Sequence, residues 1–219
     1  MSPTLLSART GRLCLWLGGA ALAFVIFVRM TRELIEGEDS AMDGAILLAL
    51  AQRRTPWLTT AAMDVTALGS ITLVVLFSAF TLLVLLVLRD RLGALQLLIA
   101  SVGAGVLTLV TKNMIERIRP EETQQLILAS GFSYPSGHSV STSALYLTIA
   151  IIAGHYVQHP GARAAILLAV SAVLVMVGAS RVYLGVHYAT DVVSGISLGA
   201  AWALLLAGFF TLHSQRRPS

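Results

Sequence analysis

Charged residues are scarce in this sequence, and lysine is almost missing. Only 12% of the 219 residues are charged and 56% are hydrophobic, whereas soluble domains hold about 25% charged and about 45–50% apolar residues. Lys112 is the only lysine, so the net charge of +4 comes almost wholly from arginine. No basic cluster is interleaved with aromatic residues, which argues against nucleic acid as a partner. The composition instead predicts a membrane protein.

The first apolar run, Leu13–Val28, contains the only cysteine, Cys14. A single cysteine excludes an intrachain disulfide and a cysteine-based metal site, and we expect Cys14 to be a small buried hydrophobic side chain. A signal peptide cleaved near Ala23 is an alternative for this run. The apolar character continues to Val28, however, and arginines follow, so we interpret the run as a retained membrane span.

Five further apolar runs follow, each long enough for a helix that crosses a hydrocarbon core about 30 Å thick. We therefore predict an all-α, polytopic membrane protein with six transmembrane helices in a single domain over residues 1–219. The predicted spans are Leu13–Val28, Ile71–Leu88, Leu92–Thr111, Ser139–Val157, Ala164–Ala179 and Val192–Leu212.

Residues 31–70 form the longest stretch without a predicted span, and we expect two short interfacial helices there. Asp39 or Ser40 is suited to cap the first helix, whose apolar face predicts an interfacial position. Thr55-Pro56 reads as a cap followed by proline at the first position of the second helix. The apolar face of the first helix comprises Ile46, Leu47 and Leu50.

Six spans place both termini on one side of the membrane, so the polar stretches 112–138 and 180–191 converge at the opposite face. Lys112, Arg119 and Arg181 lie in these stretches and are assigned to a site. Seven arginines then lie on the side of the termini and five on the other, which favours cytoplasmic termini by the positive-inside rule. The seven are Arg9, Arg12, Arg89, Arg91, Arg163, Arg216 and Arg217, and the five are Arg29, Arg32, Arg53, Arg54 and Arg117.

The first polar stretch carries Lys112 and Arg119, seven residues apart. A lysine at the end of a span is often only an anchor whose stem is buried and whose head reaches water. Pro120 disfavours helical geometry at Arg119 and helps to end the helix. A guanidinium fork and an ammonium point charge together suit a multiply charged anion such as phosphate.

The same stretch ends in Tyr134-Pro-Ser136-Gly137-His138-Ser139, just ahead of the fourth span. Small residues at a helix start leave backbone N–H groups free, and the helix dipole favours an anion there. Ser136 or Ser139 can either cap the helix or donate to a phosphate oxygen. The alternative is an ordinary capped helix with a histidine at the interface.

The second polar stretch adds Arg181 and the pair His187 and Asp191. On a helix, residues four apart share a face, so the carboxylate can hold one imidazole nitrogen and leave the other free as base or nucleophile. A structural His–Asp pair is the alternative. Ionisable residues at the membrane nevertheless indicate a functional site.

Together these groups meet the needs of phosphate ester cleavage, namely charge neutralisation, an in-line nucleophile and a proton for the leaving oxygen. The pattern K-x6-RP, PSGH and SR-x5-H-x3-D resembles the signature of the type-2 phosphatidic acid phosphatase superfamily, with the three motifs in order across residues 112–191. The resemblance implies a phosphohistidine on His187, orientation by Asp191, His138 as general acid, and no cofactor or required metal. It implies phosphate binding by Lys112, Arg119, Ser136, Gly137 and Arg181.

The expected function is therefore that of a multi-pass lipid phosphatase of the bacterial inner membrane, with its site on the periplasmic or extracellular side. Candidate substrates are undecaprenyl diphosphate, phosphatidylglycerol phosphate and phosphatidic acid. We expect residues 1–70 and 121–133, which carry no motif of the superfamily, to hold the substrate preference.

Four alternatives remain open. A phosphotransferase of the same superfamily would pass the phosphoryl group to another lipid. A lipid-binding or transport protein would use the polar residues without catalysis, although they cluster at one face and do not cross the bilayer. A metal-dependent hydrolase would use His138, His187 and Asp191 as ligands, but three nearby cations would repel the metal. A haloperoxidase is disfavoured because those relatives are soluble.

Overall fold

The computed structural model describes residues 3–37 and 40–213, and this part of the chain folds into helices alone. Asp39, one of the two predicted caps, and the arginines of the C-terminal tail lie outside the described residues. Within these residues one 3₁₀ turn, Glu122–Gln124, accompanies eight α-helices. These are α1 (Pro3–Glu36), α2 (Ser40–Ala51), α3 (Pro56–Ala67), α4 (Ile71–Val87), α5 (Arg91–Ile115), α6 (Gly137–Tyr156), α7 (Pro160–Tyr183) and α8 (Ala189–His213).

In the described part of the chain five helices, α1 and α5 to α8, are each long and apolar enough to cross a membrane. The remaining predicted span is α4, whose 17 residues measure about 25 Å at 1.5 Å per residue. Helices α3 and α4 pass the same test together, with a bend of 43° between them, and then count as a sixth span. The all-α, multispan prediction is confirmed, and the bend at residues 68–70 is its one added feature.

Helix α8 lies at the centre of the bundle, where it packs against α1, α5, α6 and α7. Its contact with α6 is close because α8 presents glycine to the backbone of α6. A Cβ built on Gly195 would lie 2.7 Å from the Ser136 carbonyl oxygen, and one on Gly199 would lie 2.8 Å from Ser143 Cβ. Small residues that let backbones approach are typical of helix pairs in membranes.

Large apolar side chains cover much of the outer surface, as a bilayer environment requires. Cys14 belongs to this outer surface, because its side chain is exposed. The prediction of a buried Cys14 was therefore wrong. An apolar run in a membrane helix turns one face to its neighbours and the other to lipid, and hydropathy alone does not distinguish these faces.

The predicted helix starts in residues 31–70 are largely confirmed. Thr55 stands at the N-cap of α3 with proline directly after it, although the Thr55 side chain makes no capping hydrogen bond. The apolar face of α2 turns towards the bundle, since α2 packs against α7 and α8 and Leu47 is only 2% exposed. Asp43, one turn before Leu47 on the same face, is fully buried.

Candidate active site

The two polar stretches meet at one end of the bundle, as parity predicted. Lys112 lies in the last turn of α5, one turn before the helix ends at Ile115. The C-cap residue Glu116 adopts a left-handed conformation with φ of 50°, so the helix ends earlier than Pro120 alone requires. Arg181 is also helical, because α7 continues to Tyr183, beyond the predicted end at Ala179.

His187 lies in the short connection between α7 and α8 and is 2% exposed. Its Nδ1 is 3.3 Å from Asp191 Oδ2 and 3.4 Å from Ser133 Oγ. Because His187 precedes the first residue of α8, the pair forms across the helix N-terminus and not along one helix face. The predicted contact of His187 with Asp191 is present, with this difference in local structure.

Asp191 stands in the first turn of α8 and is fully buried. Arg117 Nη1 donates to its Oδ1 at 2.6 Å. Its Oδ2 accepts from the Tyr188 N–H at 2.9 Å and from the Ser133 hydroxyl. The carboxylate is thus fixed by donors on three sides, and this orients the oxygen that faces the imidazole.

Arg119 faces the second nitrogen of the same imidazole. Its Nη1 lies 3.2 Å from His187 Nε2 and donates to the Val186 carbonyl at 2.6 Å. Its Nε donates to the Gly131 carbonyl at 2.9 Å. A fixed cation therefore lies beside Nε2, the nitrogen that remains for chemistry when Asp191 holds Nδ1.

Two more cations surround this point. The Lys112 ammonium donates to the carbonyls of Phe132 and Ser133 and interacts electrostatically with Arg119, Asp191 and Arg181. Arg181 is 6% exposed, and its Nη1 donates to Thr66 Oγ1 at 3.0 Å. Among the residues that the structure describes, its buried Nε has no hydrogen-bond partner, so one charged N–H remains for an anion.

The PSGH stretch begins α6, as predicted. The Ser136 hydroxyl caps the helix by accepting from Ser139 N–H at 3.4 Å, and the Ser136 N–H donates to the Asp191 carbonyl at 3.0 Å. Gly137 and His138 follow as the first helical residues, whose N–H groups have no acceptor within the helix. His138 interacts electrostatically with His187 and all three predicted cations.

Burial and neighbouring charges shift the pKa values of three site residues that lie outside the helices. Burial lowers the pKa of His187 to about 4, against the opposing effect of Asp191, so the imidazole is neutral at pH 7. Burial also lowers the pKa of Arg119, which remains a cation because its ordinary pKa is far above 7. For Arg117, burial is outweighed by Asp191 and Asp43, and its pKa is raised.

The prediction missed four polar residues that hold the site. Arg117 contacts Asp191 directly, Ser133 contacts both members of the His–Asp pair, and Thr66 holds Arg181. Asp43 binds the far side of Arg117 at 2.7 Å. One signal was available, because Asp43 shares the apolar face of a predicted helix with Leu47, and an acid on such a face is buried only with a partner.

The side chains present do not match the metal site considered above. No group of three or more His, Cys, Asp or Glu residues within 3–37 and 40–213 is placed to hold a metal ion. Both oxygens of Asp191 instead accept hydrogen bonds from the protein. The set of His138, His187 and Asp191 is therefore arranged as a hydrogen-bonded pair with a separate histidine.

Comparison with known proteins identifies the family of this chain. The PAP2 superfamily model matches residues 93–214, which include all three motifs. Phosphatidylglycerophosphatase B of Bacillus subtilis is 31% identical over 194 residues, which are 85% of this chain and 92% of the relative. The undecaprenyl-diphosphatase of Sulfolobus acidocaldarius is 33% identical over 132 residues, 58% of this chain and 59% of the relative.

A solved structure is also similar. The crystal structure of a transmembrane PAP2 type phosphatidylglycerolphosphate phosphatase from Bacillus subtilis matches with a TM-score of 0.78 and 30% identity, over 90% of this chain and 98% of the other. The family model, the nearly full-length relative and the shared multi-span fold lead to one assignment. The chain belongs to the PAP2 superfamily, among its multi-pass membrane lipid phosphatases.

Proposed function

We propose that this protein cleaves a lipid phosphate or diphosphate without a metal, through a phosphohistidine formed on His187. One observation carries the proposal. The buried imidazole has Asp191 on Nδ1 at 3.3 Å and the Arg119 cation beside Nε2 at 3.2 Å. Asp191 thus favours the tautomer with hydrogen on Nδ1, and the Nε2 lone pair faces the point at which a phosphate would contact Arg119.

In the first step, Nε2 attacks phosphorus and the bond from phosphorus to the leaving lipid oxygen breaks. In a diphosphate Nε2 attacks the terminal phosphorus, and the leaving oxygen is the one that bridges to the phosphate that stays on the lipid. Negative charge on the phosphoryl oxygens is neutralised by Lys112, Arg119 and Arg181 and by the free N–H groups at the start of α6, at Gly137 and His138. Ser136 contributes by capping that helix and presenting its first turn. The positive charge that develops on the imidazole is stabilised by Asp191.

His138 completes the cycle by moving protons. As general acid it protonates the leaving lipid oxygen. In the second step it takes a proton from water, which attacks phosphorus, breaks the bond to Nε2 and releases inorganic phosphate. His138 interacts electrostatically with the three cations and with His187, which supports a place for its ring beside the same phosphate site.

The substrate is a phosphorylated membrane lipid. Relatives of this chain are named for phosphatidylglycerol phosphate and undecaprenyl diphosphate, and phosphatidic acid presents the same head group chemistry. We place phosphatidylglycerol phosphate first, because that relative is matched over 92% of its length and the other over 59%. We assign this function to a single domain over residues 1–219.

We also propose that the termini are cytoplasmic and the site faces the periplasm or the extracellular space, in a bacterial inner membrane. Arg117 is held by two buried carboxylates, so it belongs with the site and not with the membrane anchors. The arginine comparison then becomes seven against four. The positive-inside rule thereby favours the same orientation more strongly than the sequence alone did.

Release of inorganic phosphate by the detergent-purified protein tests this proposal. Phosphatidylglycerol phosphate, undecaprenyl diphosphate and phosphatidic acid are each offered with EDTA present. His187→Ala should abolish release. The matched control is His159→Ala, which removes an exposed histidine before α7, at the opposite end of that helix from Arg181, and should leave release unchanged.

Two outcomes would overturn parts of the proposal. Unchanged release by His187→Ala would remove His187 as nucleophile, and release lost with EDTA would contradict the metal-free mechanism. Phosphate transfer to an added acceptor lipid without release into water would identify a phosphotransferase that uses the same histidine.

A further inference from the structure

A second buried carboxylate, outside the three motifs, is connected to the catalytic pair. Asp43 lies in the first turn of α2 and is 0% exposed. Its Oδ2 accepts from Arg117 Nη2 at 2.7 Å, and its Oδ1 accepts from the Thr190 N–H at 3.1 Å. The Thr190 hydroxyl also donates to Oδ2. A buried carboxylate is retained only with such partners.

Arg117 connects the two carboxylates. Its Nη1 donates to Asp191 Oδ1 at 2.6 Å while its Nη2 binds Asp43. The guanidinium also lies 4.1 Å from the centre of the Tyr188 ring, which further fixes its plane. The planar fork of arginine is suited to hold two carboxylates at a defined separation, so Asp43 and Asp191 are positioned by one rigid group.

The summed charge of Asp43, Arg117 and Asp191 gives a reason for the presence of two acids. Asp43, Arg117 and Asp191 together carry one negative charge while His187 is neutral. Attack by Nε2 makes the imidazole cationic, and the cluster and ring then sum to zero. With Arg117 and Asp191 alone, the guanidinium would already neutralise the carboxylate, and no net negative charge would remain on the Nδ1 side of the cationic imidazole.

Asp43 also fixes the helix from which Asp191 projects. The Thr190 N–H is one of the first-turn donors of α8, which have no acceptor within the helix. Asp43 accepts this hydrogen bond from 147 residues away in sequence and places a negative charge at the positive end of the helix dipole. The start of α8 is thereby tied to α2, a helix that carries no motif of the superfamily.

We infer that Asp43 is a positioning residue for the phosphoryl transfer, acting through Arg117 and Asp191 to hold the negative charge that faces the His187 imidazole. The inference rests on the proposed function of His187. Asp43 touches neither the imidazole nor the phosphate site. Its contribution is therefore expected in the rate of turnover and not in substrate affinity.

The test is a double-mutant cycle that measures kcat and KM for lipid phosphate release. Asp43→Asn keeps the size of the side chain and removes its charge. It should lower kcat by roughly ten- to hundredfold, the range known for loss of an outer partner of a metal-binding histidine, with KM changed by less than about twofold. In the Asp191→Asn background, the same change should lower kcat by less than about threefold, because residues that act through one another are not additive.

The matched control is Asp64→Asn, the same chemical change at an exposed acid in α3, and it should leave kcat unchanged. Equal loss in both backgrounds would show a purely structural role for Asp43, because partial unfolding lowers kcat by the same factor whether or not Asp191 is present. Normal kcat in Asp43→Asn would also overturn the inference. A wild-type protein that releases no phosphate would instead contradict the proposed function.

If Asp43→Asn does not accumulate, Thr190→Val gives a second route. This change removes the hydroxyl that donates to Asp43 and accepts from Arg117, and it alters no charge. It should lower kcat by at least about fivefold, the rate equivalent of one of these two hydrogen bonds, and this loss should disappear in Asp191→Asn. The same loss in both backgrounds, or none in either, would contradict the inference.

Discussion

Replacing Gly195 by alanine should separate the two halves of the active site. Gly195 lies on α8 one turn after Asp191 and faces the start of α6. A Cβ at this position would lie 2.7 Å from the Ser136 carbonyl oxygen and 2.8 Å from Ser139 Cβ. The Ser136 oxygen is a backbone atom and the Ser139 Cβ is fixed to the backbone, so rotation of a side chain cannot move either atom away. The helices must move apart.

The size of the movement follows from the contact distance. An ordinary contact of a Cβ begins near 3.4 Å, so the start of α6 must shift by about 0.7 Å relative to α8. Overpacking of this kind destabilises a protein by about 1–3 kcal/mol. A misplacement approaching 1 Å costs up to about a hundredfold in rate. We therefore expect kcat/KM to fall by roughly ten- to hundredfold, because Ser136–His138 and the His–Asp pair lose their mutual alignment.

Phosphate release and thermal unfolding in detergent measure the two effects. Gly199→Ala, one turn farther along α8 from Asp191, should cost at least as much stability, because a Cβ there would clash with the Val140 carbonyl oxygen, but it should cost less activity. Gly105→Ala is the control, because a Cβ there meets nothing within 4 Å, and it should change neither. Wild-type activity and stability in Gly195→Ala would refute the view that this helix contact aligns the site.

Three further predictions concern the site itself. Vanadate should inhibit phosphate release, because it adopts the trigonal geometry of the transferred phosphoryl group, and full activity at millimolar vanadate would contradict the assigned pocket. Asp191→Asn should lower kcat while KM changes little, since Asp191 orients His187 without touching phosphate, and a raised KM with normal kcat would indicate a different role. Burial lowers the pKa of His187 from 6.5 to about 4, so between these pH values the unfolded chain binds a proton that the folded protein excludes. Stability should therefore decrease as pH falls, by about 2 kcal/mol at pH 5, and thermal unfolding at pH 7 and pH 5 should show a smaller decrease in His187→Asn. An equal decrease in both proteins would show that His187 is not the group responsible.

The helical fold and the meeting of the motifs were predictable because both follow from strong, regular signals. Six apolar runs predict six crossings, and parity then brings residues 112–138 and 180–191 to one face without any knowledge of packing. The predicted ends of the helices were less accurate. Helix α5 ends at Ile115 and α7 at Tyr183, so Lys112 and Arg181 are helical residues whose side chains point into the site. The predicted ends came too early because hydropathy marks the lipid-facing length of a helix and not its hydrogen-bonded length.

Arg117 shows why a count of charges could not complete the site. In sequence it is one of several arginines near span ends, and in the structure both of its N–H₂ groups bind buried carboxylates. The role of Arg117 depends on its contact with Asp43, which is 74 residues away in the sequence, and no spacing rule connects these two residues. An anchor arginine and a site arginine are distinguished only by what the fold places opposite them.

The N-terminal part of the chain has a larger role than selection of the substrate, which is all that its sequence predicted. Its Asp43 accepts a hydrogen bond from Arg117, and its Thr66 accepts one from Arg181. Gly69 leaves room for the His138 ring, because a Cβ at position 69 would lie 3.1 Å from that ring. Each contact supports a different group of the site. Residues that touch phosphate must have fixed chemistry and spacing, so they form readable motifs. Their supports need only the right position. The 93–214 segment matched by the family model therefore contains all the motif residues and some of their supports, whereas Asp43 and Thr66 lie outside it.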